Sequence, residues 1–176
     1  LWSLGIEDKK VLKIISKMLK SEIDREGIPE KGTPQGGILS PLLSNVVLNE
    51  LDWWIDSQWQ GMKTKHNYTR NSDKLRALKR KSTLKEMYII RYADDFKVLC
   101  RTYDCARRTF KAVKMWLKER LGLDISRGKS KIVNLRKNYS EFLGVKLKAI
   151  KKGKKHIAIS KVSDKAKERI LTEIKQ

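Results

Sequence analysis

Apolar side chains recur at helical spacing over residues 8–23, at Val11, Leu12, Ile15, Met18 and Leu19, with lysines on the opposite face. That pattern predicts an amphipathic helix. Gly27, Pro29 and Gly32 then break the period and predict a turn-rich segment. Ser40 followed by Pro41 predicts a second helix start: a capping hydroxyl, then a proline whose missing N–H costs nothing there. The helix is expected to run to about Trp59 with Leu43, Val47, Leu51 and Ile55 on its buried face. Residues 87–101 read as two apolar strands, around 89–92 and 96–100, folded about Asp94-Asp95. Thr102 or Asp104 can cap a following helix whose buried stripe is Ala106, Phe110, Val113, Leu117 and Leu121, and Gly122 supplies its left-handed stop. A short strand around 132–135, a hairpin of 142–150 and 156–160 around Gly153, and a last helix opened by Ser163 complete the pattern. Strands mixed with long helices, without internal repeats, predict an α+β or α/β domain.

Charge changes this picture in two places. Residues 62–85 hold nine Lys or Arg and one acid, Asp73, and read as a surface insertion, partly helical around Leu75 and Leu78. Such a segment is either a solvated loop or an RNA-contacting surface, with Lys63, Lys65, Arg70, Arg76, Lys79, Arg80 and Lys81 as the contacting side chains. Between Glu141 and Asp164 there are seven lysines and no acid, a second basic surface. Over the 176 residues, 41 Lys and Arg face 20 Asp and Glu, a net charge of +21. A compact chain so charged repels itself unless a polyanion neutralises it, and nucleic acid is the expected partner. An anionic membrane surface is the competing one. No apolar run approaches the roughly 20 residues needed to span a bilayer, so a role within a membrane is not expected.

Cys100 and Cys105 are the only cysteines and His66 and His156 the only histidines, which supports neither a disulfide framework nor a zinc site of the usual spacings. With no targeting segment in view, reduced thiols in a cytoplasmic, bacterial intracellular protein are the expectation. Neither Leu1 nor Gln176 reads as a natural terminus, so a fragment is expected.

The sharpest chemical feature is Tyr92-Ala93-Asp94-Asp95-Phe96. Adjacent carboxylates at a strand turn repel one another, and a divalent cation would make the arrangement favourable. Hard oxygen ligands at a hairpin tip suit Mg²⁺. Taken alone, an Asp-Asp pair reads more simply as a turn whose aspartates bond nearby backbone amides. Gly32-Thr33-Pro34-Gln35-Gly36-Gly37-Ile38-Leu39-Ser40-Pro41 is a glycine-rich loop ahead of a helix. Its glycines allow a backbone to approach a base pair or sugar closely, and Gln35 offers both a donor and an acceptor. Alone, it reads as a helix entry.

Together with Gly122-Leu123, Lys129-Ser130 and Phe142-Leu143-Gly144-Val145, these two motifs occur in the order seen in reverse transcriptases. The chain resembles the group II intron maturase branch of that family over nearly its whole length. The resemblance implies an α+β palm, a sheet backed by helices, over residues 1–162, with the start of a linker or thumb helix at 163–176 and the fingers largely missing. It implies Asp94 and Asp95 as catalytic residues and ligands of two Mg²⁺ ions, with Asp94 the surer ligand. Tyr92, Ala93, Gln35, Gly36 and Gly37 would meet the template and nucleotide, Ala93 leaving room for the primer terminus. Lys129 would donate a proton to the leaving pyrophosphate, or is one more solvated lysine. Phe142, Leu143, Gly144 and Val145 would form the primer grip, although Leu143 and Val145 also fit an ordinary core. The partners implied are intron RNA, an RNA template with a DNA primer, and dNTP; a homodimer is compatible with the sequence.

The family takes another metal-binding aspartate from an upstream strand. Asp8, at a helix start, and Asp24, in a turn, do not fit that motif. The chain by itself is therefore expected not to polymerise until a fingers-bearing N-terminal fragment supplies the missing Asp. Three alternatives remain open: an RNA-binding maturase module without polymerase activity, a retron-type reverse transcriptase, and a basic protein bound to acidic lipid.

Overall fold

A computed structural model describes residues 1–2, 5–20, 39–126 and 128–174. Among these, five helices and two small antiparallel sheets make an α+β fold. They divide into two compact units, Leu1–Ala106 and Arg107–Gln176. No helix of the described residues is long and apolar enough to cross a membrane.

In the first unit, helix α1 (Lys9–Leu19) starts where Asp8 accepts the backbone N–H groups of Lys10 and Val11 at 2.7 and 3.3 Å. None of its residues is buried, and Val11 and Met18 are exposed. Helix α2 (Ser40–Ser57) carries Pro41 in its first turn, where a ring without N–H fits. It begins one residue earlier than a Ser40 cap requires: Leu39 holds the cap position and offers no side-chain hydrogen bond. Its buried row also differs from expectation. Leu48, Leu51 and Ile55 are buried, whereas Leu43 is half-buried and Val47 exposed. The row continues past the helix end to Trp59, fully buried, so the covered stripe runs at spacings of three and four rather than strictly four.

The basic segment contains helix α3 (Asn71–Lys81). Strands β1 (Met87–Tyr92) and β2 (Asp95–Cys100) form an antiparallel hairpin in which Tyr92 faces Asp95. The bend is therefore Ala93-Asp94, and Asp95 already belongs to the ladder. A polar relay joins these pieces. Trp59 Nε1 donates to the Tyr88 hydroxyl at 3.2 Å, which donates to Glu86 at 3.1 Å, and Lys79 of α3 pairs with the same carboxylate at 2.7 Å. Lys74 adds a bond to the Gln60 carbonyl at 2.8 Å. The basic helix is thus tied down by two of its own lysines.

Helix α4 (Tyr103–Leu121) opens in the first unit and continues in the second. Thr102 Oγ1 accepts the Cys105 N–H at 3.2 Å, so of the two caps the sequence offers, Thr102 serves. Its most covered row is Cys105, Thr109, Val113 and Leu117, while Ala106, Phe110 and Leu121 are half-buried at its flank. Gly122, at φ 65°, stops it, with the Gly122 and Leu123 N–H groups donating back to the carbonyls of Lys118 and Leu117.

In the second unit, strands β3 (Ser140–Phe142), β4 (Val145–Lys152) and β5 (Lys155–Val162) form one sheet in that order. The stretch 142–150, expected as a single strand, is broken at Leu143-Gly144, whose φ values of 51° and 74° reverse the chain in two residues. The strand expected around 132–135 does not form. Asn134 turns the chain instead, its carbonyl accepting from Lys137 and Asn138 and its side chain from Arg136, which leaves one ladder-like bond, Ala149 N–H to Leu135 O at 2.8 Å. Helix α5 (Asp164–Ile174) starts at Ser163, a buried cap whose Oγ accepts the Ala166 N–H at 3.3 Å.

Two outcomes follow from this packing. Leu51→Ala, at a fully buried position, is expected to lower unfolding free energy by about 3 kcal/mol. Trp53→Ala, on the exposed side of the same helix, should change it by no more than about 0.5 kcal/mol in the same urea titration. Burial pushes the Glu86 carboxyl up, but the hydrogen bonds from Lys79 and Tyr88 and the charges of Lys79 and Arg101 outweigh it and hold it below its ordinary value of 4.5. A depressed folded-state value stabilises the fold above the ordinary carboxylate range, and that contribution is lost as pH falls through the lowered value. Glu86→Gln should therefore flatten the fall in stability below about pH 4.5, read as melting temperature against pH.

Candidate active site

The bend of the β1–β2 hairpin is held from one side chain. Along β1, Ile89 and Arg91 share a face with Val98 and Phe96 across the ladder, and Tyr88, Ile90 and Tyr92 share the other. Arg91 reaches α2 with its whole fork. Its Nε donates to both Asp52 oxygens at 3.0 and 2.9 Å, and Nη2 donates to Oδ2 at 2.6 Å. Nη1 donates to Asn45 Oδ1 at 2.7 Å and turns back to the Ala93 carbonyl at 2.8 Å. The Arg91 side chain is 11% exposed and that of Asp52 29%, so water screens the pair only in part. A guanidinium suits this arrangement because its rigid donors serve a carboxylate and two further acceptors together.

The bond to Ala93 matters because Ala93 has φ 52°, a left-handed conformation unusual for a residue with a Cβ. Arg91 fixes the peptide that leads into Asp94. Asp94 and Asp95 themselves are exposed, and among the described residues neither carboxylate has a hydrogen bond or ion pair. The simple turn reading, with aspartates bonding nearby amides, is not what forms there. Two carboxylates without a partner among the described residues stand together at the tip of a braced hairpin in a chain of net charge +21.

Beside the tip lies an open cleft of about 520 Å³ lined by Pro41, Asn45, Asp52, Ile89, Arg91, Tyr92 and Ala93. It unites the last residue of the glycine-rich motif with the first two of the Tyr92-Ala93-Asp94-Asp95-Phe96 motif. Gln35, Gly36 and Gly37 lie outside the described residues. No cluster of three or more metal-binding side chains occurs among the described residues, so Asp94 and Asp95 stand as a pair. Their oxygen donors and open surroundings fit a hard divalent cation that takes its other ligands from elsewhere.

Of the other candidate residues, those of the basic segment belong to the first unit, and Lys129 and Phe142, Leu143, Gly144 and Val145 belong to the second. Lys129 is exposed in a turn of the second unit. Phe142, Leu143, Gly144 and Val145 form the β3–β4 reversal, where Gly144 accepts the Ser163 N–H at 2.8 Å and a Cβ at Gly144 would meet Ala166 at 3.5 Å. That reversal is seated on the start of α5. Lys63, Lys65, Arg70, Arg76, Lys79, Arg80 and Lys81 are all exposed on the basic segment, with Lys79 paired to Glu86 and Arg76 to Asp73. Sequence reasoning passed over Asn45, Asp52 and Arg91. The available signal was that Asn45 and Asp52 fall in the same helical row as Leu48 and Ile55, polar groups where apolar ones are expected.

Residues 2–147 match the family model described as reverse transcriptase (RNA-dependent DNA polymerase). The COX1/OXI3 intron 2 protein of Saccharomyces cerevisiae is 25% identical over 177 aligned positions, 81% of this chain and 21% of that protein. Protein YkfC of Escherichia coli is 30% identical over 107 residues, 54% of this chain and 28% of that protein. The group II intron-encoded protein LtrA of Lactococcus lactis is 46% identical over 56 residues, 30% of this chain and 9% of that protein. The chain thus spans less than a third of each of these relatives.

Arg91→Met should cost about 2–3 kcal/mol in urea unfolding, because it leaves the partly buried Asp52 carboxylate without its donor and removes the bonds to Asn45 and the Ala93 carbonyl. Arg91→Lys should recover only a minor share, since a point charge cannot serve three acceptors.

Proposed function

Because the chain belongs to the reverse transcriptase family, we propose that it is the palm of an RNA-directed DNA polymerase of the group II intron-encoded branch. The observation that carries this reading is the Asp94-Asp95 tip, without a partner among the described residues, braced through Arg91 and Ala93 beside a cleft that also contains Pro41. The similarity to the intron 2 protein and to LtrA supports the intron branch.

In this reading Asp94 is the principal ligand of Mg²⁺ and Asp95 its neighbour. Two such ions, completed by a further carboxylate and by substrate phosphates, would supply charge stabilisation for phosphoryl transfer from a dNTP to a primer 3′-hydroxyl. The chain's own work is positioning. Tyr92 and Ala93 line the cleft at the tip, and the small Ala93 side chain leaves room for a primer terminus. Gln35, Gly36 and Gly37 lie against the template and the new base pair. Lys129 protonates the leaving pyrophosphate, and Phe142, Leu143, Gly144 and Val145 hold the primer. Lys63, Lys65, Arg70, Arg80 and Lys81 contact intron RNA, the basis of splicing assistance by the whole protein.

Primer extension on an RNA template tests the proposal, with the chain assayed alone and with a fingers-bearing fragment added in trans. Mg²⁺-dependent extension is expected only in the second case. Asp94→Ala should then lower its rate by a factor on the order of 10² or more, with RNA affinity retained. RNA binding without extension in either case would favour a maturase module that does not polymerise.

A further inference from the structure

The β4–β5 hairpin carries a charge pattern that folding alone does not explain. Its register places Lys146 opposite Lys161 and Lys152 opposite Lys155. Like charges directly opposite in a ladder are destabilising. Period-two alternation puts Lys146, Lys148, Ile150 and Lys152 of β4 on one face with Lys155, Ile157, Ile159 and Lys161 of β5. Five of those eight side chains are cations. The aromatic ring of Tyr139 joins the same face, with the Lys148 ammonium 5.2 Å and the Lys161 ammonium 4.6 Å from its centroid. One ring thus gathers two ammonium groups.

The nearby acids are engaged at one corner. Asp164 is hydrogen-bonded to Lys146, and Glu141 lies across the ladder from it. Among the described residues no ion pair involves Lys148, Lys152, Lys155 or Lys161. Ile150 and Ile157 form an exposed apolar pair between the two groups of lysines. At about 3.4 Å per residue the eight-residue strands extend roughly 27 Å, long enough to meet several consecutive phosphates.

We propose that this face, with Lys148, Lys152, Lys155, Lys161 and Tyr139 at its centre, is a nucleic-acid site that grips the phosphate backbone of a strand without reading its bases. Mutual repulsion of the opposed lysines is relieved when phosphates lie between them, and counterion release drives the binding. The inference rests on the polynucleotide partner of the proposed function and not on polymerisation.

The test is the slope of log affinity against log salt for the full chain on two RNA strands of unrelated sequence. The variant Lys148→Gln/Lys152→Gln/Lys155→Gln should reduce the slope by roughly two to three units on both strands alike. Arginine at the same three positions should restore it, which separates charge from misfolding. Lys111→Gln/Lys114→Gln, on exposed positions of α4, should change it much less. An unchanged slope in the triple variant, or an equal loss in the α4 control, overturns the proposal. So does loss of binding to phosphatidylserine vesicles with RNA binding intact, which would assign the face to lipid. Failure of the polymerase reading would appear instead as absent primer extension with these slopes unaffected.

Discussion

The guanidinium of Arg91 is the contact on which the candidate active site depends. It touches α2 through Asp52 and Asn45 and also touches the bend through the Ala93 carbonyl. A two-residue bend with a left-handed alanine is not a conformation that alanine prefers. The fork offsets that cost by fixing the carbonyl, and its partly buried ion pair makes the hairpin's position on α2 specific. The acids after the bend can then remain free of partners among the described residues. An exposed pair of carboxylates is useful for holding a cation only if the backbone beneath it does not move, and here the brace lies directly behind the pair.

Charge serves two opposite ends in this chain. Where a cation meets an acid within the fold, as in Lys79 with Glu86, Arg91 with Asp52 and Lys146 with Asp164, it joins elements distant in sequence. Where cations face one another without an acid beside them, as Lys152 and Lys155 do on the β4–β5 face, they weaken the isolated fold and favour a polyanion. The basic segment shows both uses in one helix: Lys74 and Lys79 anchor α3, and the exposed charges of Arg80 and Lys81 face solvent. The +21 net charge is therefore the sum of a structural set and a set available to a partner.

Elements with a strong local cause could be read from the chain. Asp8 at a helix start, Thr102 as one of two candidate caps, Gly122 as a stop and Ser163 as a start are decisions made within four residues, by a hydroxyl, a carboxylate or a missing Cβ. The hairpin about Asp94 was readable because apolar runs flank it. The errors arose where a nonlocal neighbour decided. Val47 and Leu48 are both apolar, and only the direction in which α2 packs determines that Leu48 is the buried one. The run 142–150 is apolar enough for one strand, yet Leu143-Gly144 reverses it and Ser163 holds the reversal. The strand expected at 132–135 is the exception to this, since a local turn at Asn134 replaced its ladder.

The amino-acid sequence by itself determined the family, through ordered motifs, along with the charge excess and the two acids at a bend. Those are properties of residue type and spacing, which need no coordinates. The tertiary structure decided what holds the acids and which lysines are free. Asn45, Asp52, Arg91 and Ala93 lie up to 48 positions apart in the chain, and the first three do not resemble functional residues when taken singly. Their role depends on distances between donors and acceptors on different elements, and such distances exist only once the helix and the hairpin have packed.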